Sequence, residues 1–108
     1  MLTLRSMSGG PDITLDRPLV VVGRHPRCDA RLDSVRVSRR HCVLTKDADE
    51  VVVRDLGSTN GTWINGWRVA CGWLKPGDEV SIAHVRYRLE EASGYEAGVP
   101  ILGDRPEA

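Results

Sequence analysis

Apolar and polar residues alternate with a period of two in "MLTLRSM", which puts Leu2 and Leu4 on one face, and again in "DITLD" (12–16) and "HCVLT" (41–45). That period belongs to a strand with one buried face. "LVVV" (19–22) and "VVVRD" (51–55) are apolar runs of strand length rather than alternations,. No stretch carries the 3.6-residue period of a helix of about ten residues or more. The intervening segments "SGGPD", "DRP", "GRHPRCD", "KDADE", "LGSTNG", "ING" and "KPGD" supply the Gly, Pro, Asn and Asp that tight turns require,. Pro76-Gly77 suits the central positions of a type II turn, and Asn60-Gly61 and Asn65-Gly66 read as hairpin turns, because both residue types tolerate positive φ,. Many short strands separated by turns predict an all-β sandwich or barrel. After Glu91 the pattern dissolves into "ASGYEAGVPILGDRPEA", so the expected organisation is one domain over 1–91 and a tail or linker over 92–108,. Within that tail Val99, Ile101 and Leu102 could dock on a sheet.

Composition narrows the function. The 108 residues carry 15 basic and 15 acidic side chains, so any attraction to nucleic acid or membrane must come from a local field,. No apolar run approaches the roughly 20 residues that span a bilayer, and the first residues lack a basic head followed by an apolar stretch. A cytoplasmic protein without a membrane partner is the expectation. Cys28, Cys42 and Cys71 lie in unrelated contexts and predict free, buried thiols rather than a disulfide framework,. His25 with Cys28, or His41 with Cys42 and Cys71, lack paired chelate spacing, so neither a metal nor a cofactor is expected.

The charge is uneven. From Gly23 to His41 the chain holds six arginines, Arg24, Arg27, Arg31, Arg36, Arg39 and Arg40, against two acids, Asp29 and Asp33. Guanidinium forks fit phosphate oxygens, and Ser38 adds a compact neutral donor among them. A second loop, "LGSTNGTWING", offers the Thr59 hydroxyl and the Asn60 carboxamide, which can both donate to and accept from a peptide backbone,. Together the loops suit a phosphorylated peptide held at its phosphate and along its main chain.

Gly23-Arg24, Ser38-Arg39-Arg40-His41, Ser58-Thr59-Asn60-Gly61-Thr62 and Asn65-Gly66, in this order and at these intervals, resemble the forkhead-associated (FHA) domain, from about Thr3 to Leu89. The resemblance implies a SMAD/FHA-like sandwich of two twisted, mostly antiparallel sheets with about eleven short strands. It also implies loops at one end that bind phosphothreonine in an extended peptide of a Ser/Thr kinase or its substrate, and no catalysis. It casts Arg24 and Ser38 as phosphate contacts, Arg39 as a further one, Thr59 as lining the phosphothreonine site, and Asn60 as holding the peptide backbone. Arg36 matches a position that reads the third residue after the phosphothreonine and predicts an acidic preference there. Gly23, His41, Gly61, Asn65 and Gly66 would brace the loops.

Other readings compete. Arg40 reads as solvated or scaffold, because neighbours in an extended loop point apart. His41 with Ser38 or Cys42 could suggest a hydrolase, but no third group orients a base. Asp55 reads as a cap on the turn before Gly57, and Trp63, Trp67 and Trp73 as packing on the sheet beside hairpins. Arg86 and Arg88 read as the wet face of a final strand. Nucleic-acid binding through the arginines would show a steep salt dependence. A phosphate-independent protein contact through the sheet face is the alternative function, and a monomer is the expected state.

Overall fold

The computed structural model describes residues 1–91; the predicted tail and its apolar residues lie outside them. The described chain forms eleven strands and no helix: β1 (Leu2–Ser6), β2 (Ile13–Thr14), β3 (Leu19–Gly23), β4 (Ala30–Arg31), β5 (Cys42–Asp47), β6 (Glu50–Asp55), β7 (Thr62–Ile64), β8 (Trp67–Arg68), β9 (Cys71–Leu74), β10 (Glu79–Ile82) and β11 (Val85–Glu91). They build a six-stranded sheet, β2-β1-β11-β10-β7-β8, packed on a five-stranded sheet, β4-β3-β5-β6-β9. All pairings are antiparallel except β3 with the two-residue β4. This is the expected sandwich.

The apolar pattern explains the layering. In the five-stranded sheet Val20 lies opposite Leu44 and Leu44 opposite Val53, while Val51 faces Leu74, and all five are buried. The six-stranded sheet answers with Leu4 opposite Leu89 and Val80 between Ile64 and Tyr87. Each such side chain contributes about 1.5–3 kcal/mol by leaving water. "LVVV" and "VVVRD" do alternate in burial; what hid the period is that their outward residues, Val21 and Val52, are apolar too.

The turns follow their residues. Gly77 has a φ of 98°, and the Asp78 N–H donates to the Lys75 carbonyl at 2.9 Å, closing the expected turn. Asn65 and Gly66, with φ of 49° and 86°, link β7 and β8 in a two-residue hairpin. Asn60-Gly61 does not make one: only Gly61 has positive φ, and the pair sits in the loop that carries the chain from β6 in one sheet to β7 in the other. A sheet crossover, unlike a hairpin, has no facing strand to register with.

Two further expectations are corrected. Cys42 is buried, but Cys28 is only half-buried and Cys71 is exposed. Trp67 and Trp73 are 78% and 54% exposed, because both stand on edge strands, Trp73 on the outward face beside Val52 and Trp67 on the two-residue β8 at the rim of its sheet. Arg86 and Arg88 do form the wet face of β11. Among the described residues no helix is long and apolar enough to cross a membrane.

Candidate functional site

β3 and β6 run toward the same end of the sandwich at which β5 and β7 begin, so the β3–β4, β4–β5 and β6–β7 loops converge there. Val37, fully buried, anchors the basic loop into the sandwich end while Val35 is 91% exposed. No alternation signals this, since a strand would turn Val35 and Val37 to the same face,. Ser38 follows the anchor and is thereby placed.

Two hydrogen bonds from Arg24 weld the first loop to the second. The Arg24 N–H donates to the Ser38 carbonyl at 3.0 Å, and the Arg24 Nε–H donates to the Val37 carbonyl at 3.0 Å. The guanidinium is thus held at its inner nitrogen, and no carboxylate among the described residues pairs with it. Gly23 is required for space rather than for its dihedral: a Cβ there would stand 2.2 Å from the Arg39 carbonyl oxygen.

His41 joins the basic loop to the amide loop. Its ring is fully buried; Nδ1 accepts from the Ser38 N–H at 3.1 Å, and Nε2 lies 2.7 Å from the Gly61 carbonyl. An acceptor at Nδ1 assigns the hydrogen to Nε2, so the imidazole is a bridge with both nitrogens occupied. The Gly61 carbonyl also accepts from the Ala83 N–H at 3.0 Å, which brings in the β10–β11 turn. Ala83, a non-glycine residue with φ of 56°, was not foreseen.

Ser38 Oγ accepts from the Thr59 N–H at 3.2 Å, which leaves the hydroxyl hydrogen available,. Asn60 Nδ2 donates to the Arg36 carbonyl at 2.7 Å, so the carboxamide already bridges the loops. Asp55 closes the base of the amide loop. It accepts from the Gly57 and Ser58 N–H groups at 2.9 Å each, from the Ser58 hydroxyl at 2.5 Å and from the Thr62 hydroxyl at 2.7 Å. Partial burial pushes its carboxyl up, but the hydroxyls of Ser58 and Thr62 and the two N–H groups outweigh this and hold it below the ordinary aspartate value,. The Trp63 indole N–H donates to the Asn60 carbonyl at 3.2 Å, and Arg68 lies 5.9 Å over the same ring. Arg68, absent from the sequence-based set, braces this loop.

Arg24, Ser38, Arg39, Thr59 and Asn60 therefore belong to one loop cluster, with Gly23, His41 and Gly61 as its internal contacts. Arg36, Asn60, Trp63, Gly66, Ser81, Ala83 and His84 line an adjoining groove of about 410 Å³. Asn65 stands apart: it accepts from the Glu79 N–H at 2.9 Å and donates to Asp78, bracing the β7–β8 hairpin against the start of β10. Cys42 lies in the core, where burial, followed by the charge of Asp55, pushes its thiol up to about 12.

Guanidinium, hydroxyl and amide donors, half-buried or exposed, thus gather on the loops at one end of a two-sheet sandwich. The chain belongs to the FHA-domain family, whose model matches residues 20–83, more than half of its length. It is 41% identical over 86 residues to the glycogen accumulation regulator GarA of Mycolicibacterium smegmatis, covering 80% of this chain and 54% of that protein. It is 40% identical, again over 86 residues and 80% of the chain, to the oxoglutarate dehydrogenase inhibitor of Corynebacterium diphtheriae, of which it covers 60%. The chain thus spans little more than half the length of these relatives. A solved structure of phosphothreonine-dependent FHA domain interactions superposes with a TM-score of 0.78 at 30% identity, covering 85% of this chain and 97% of that one.

Proposed function

We propose that residues 1–91 form a phosphothreonine-peptide binding module that brings its host to a protein phosphorylated by a Ser/Thr kinase, without catalysing a reaction itself. One observation carries the reading: Arg24 and Ser38 are fixed side by side through backbone contacts, yet the outer guanidinium nitrogens and the Ser38 hydroxyl hydrogen have no protein partner among the described residues. Such a pair is preorganised for a dianionic tetrahedral group, so little ordering entropy is lost on binding. Arg39 adds charge, Thr59 lines the same cluster, and Asn60 exchanges or supplements its bond to Arg36 with one to the peptide backbone. The groove beside Arg36 takes the residues that follow, with an acidic side chain third after the phosphothreonine.

A hydrolytic role for His41 has no support in this geometry, since both ring nitrogens are bonded within the protein and the neighbouring Cys42 thiol is buried and protonated. The phosphate-independent alternative draws on a different surface. Across the outer face of the five-stranded sheet Leu19, Thr45, Val52 and Trp73 are cross-strand neighbours, with Leu19 49% and Trp73 54% exposed. A partner that stays bound after Arg24→Ala would use that face.

The test is calorimetric titration with a phosphothreonine peptide library and matched phosphoserine and unphosphorylated pools at two salt concentrations. Binding confined to phosphorylated pools, strongest for phosphothreonine, is expected; a pocketed γ-methyl contributes about 0.8 kcal/mol, roughly fourfold. Affinity falls as pH drops through about 6, where the phosphate gains its second proton. Equal binding to the unphosphorylated pool overturns the reading. Steeply salt-dependent affinity for nucleic acid with no phosphothreonine requirement also does so.

A further inference from the structure

The β3–β4 loop carries more positive charge than one phosphate needs. Its first turn, His25 to Cys28, is closed by the Cys28 N–H on the His25 carbonyl at 3.0 Å. The turn is docked on the basic loop through one acceptor, the Arg39 carbonyl, which receives the His25 N–H at 3.0 Å and the Cys28 thiol at 3.2 Å. Within the turn the Arg27 N–H donates to His25 Nδ1 at 3.0 Å, which leaves Nε2 as the N–H of the neutral ring,. The turn is therefore a built element, and it lies on the flank of Ser38–Arg40 opposite Thr59 and Asn60.

The two acids of the segment do not neutralise it. Asp29 accepts from Arg17 at 3.0 Å and from the Val21 N–H at 2.8 Å, and Asp33 lies 3.6 Å from Arg31. Arg27, Arg39 and Arg40 form no ion pair among the described residues. Partial burial, and then the guanidinium charges of Arg40, Arg39, Arg27 and Arg31, hold the His25 imidazole below the ordinary histidine value. These groups therefore share one unneutralised field, at a spot where the phosphate on Arg24 and Ser38 supplies at most two negative charges.

We propose that His25, Arg27 and Arg40 form a second anion position, which takes an oxyanion side chain from the residues that precede the phosphothreonine in the same peptide. The assignment rests on the phosphothreonine reading above. Its direction follows from topology: with the Arg36 groove on the Asn60 flank holding the residues that follow, an extended peptide crossing Ser38 lays its preceding residues toward His25 and Arg27. Arg40, expected to be solvated, becomes a ligand contact. A carboxylate and a second phosphate share the chemistry this position recognises.

The experiment titrates the protein with a singly phosphorylated parent peptide, alanine at the four preceding positions, and with two series that place glutamate or phosphothreonine at each position in turn. One position should bind about three- to tenfold tighter with glutamate, the scale of one or two partly exposed ion pairs, and more tightly still with phosphate. A gain for phosphate alone would support the position and identify a doubly phosphorylated ligand as its source. The Arg27→Ala/Arg40→Ala double variant, altered at exposed side chains only, should bind every glutamate peptide no more tightly than it binds the parent, because the loss of field weakens all of them alike while the position-specific gain disappears. A flat scan with the parent still bound, or a gain that survives the double variant, overturns the second position and leaves the first intact. A parent that fails to bind overturns the phosphothreonine reading itself.

Discussion

Two sets of arginines on this neutral domain are treated in opposite ways. On the β1–β11 face each has a carboxylate: Arg5 donates to Glu90 at 2.8 Å, and Arg86 and Arg88 share Glu79 at 2.9 and 3.4 Å. The Arg86 hydrogen bond is the main reason the Glu79 carboxyl is held below its ordinary value. At the loop end Arg24, Arg27, Arg36, Arg39 and Arg40 have no carboxylate among the described residues, and their backbones are fastened by Val37, Gly23 and His41. The first set is locally neutralised and exposed, so it supplies little field and little stability. The second is a concentrated charge on a fastened frame, which the proposed function assigns to an anion from outside. A net charge of zero conceals this segregation.

The largest expected effect breaks the contrast at its centre. Arg24→Ala should weaken phosphopeptide binding by about 2–5 kcal/mol, or about 30-fold to several-thousand-fold, whereas Arg86→Ala should leave the affinity within twofold. Calorimetry on both variants checks it, and a loss below threefold for Arg24→Ala removes that residue from the site. Next in size is Gly23→Ala, which drives a methyl into the Arg39 carbonyl. Chemical denaturation should show a loss of about 1–3 kcal/mol, with binding weakened because the Ser38–Arg40 backbone must shift. Ser38→Ala tests the neutral donor. Its expected cost to binding is about 1–3 kcal/mol, or 5- to 150-fold, read by the same titration.

The smallest effect concerns the frame of the amide loop. The folded state holds the Asp55 carboxyl below its unfolded value near 3.9, so its stabilisation is fully present above that pH,. It is lost as pH falls through the depressed folded value. Asp55→Asn should therefore lower the denaturation midpoint at neutral pH, and the gap to the parent protein should close in acid. A gap that is constant across pH would mean that the ionised carboxylate is not what holds the loop.

Much of the candidate site was legible because its chemistry is local. Arg24, Ser38 and Asn60 announce themselves by residue type and by the turns around them. The bracing residues were harder to read. Arg68 comes from a different hairpin from the loop it holds. Ala83 acts through its N–H, which any residue but proline possesses. Val37 was overshadowed by the arginines on either side. The hairpin expected at Asn60-Gly61 failed because its signal records only a tolerance for positive φ, which a crossover loop satisfies equally well.

By itself the sequence determined the strand content, the type II turn, the Asn65-Gly66 hairpin and the concentration of arginines in one segment. These depend on side-chain period, on dihedral limits of Gly, Pro and Asn, and on charge counts, all properties of neighbours along the chain. Only the tertiary structure decided which arginines lack carboxylates, that Gly23 is needed for space, and that one histidine ring ties Ser38 to Gly61. Those facts depend on residues distant in sequence, such as His41 and Gly61 at 20 positions, meeting in the folded sandwich,. Their energies come from close approach and from the absence of competing partners, which no local pattern records.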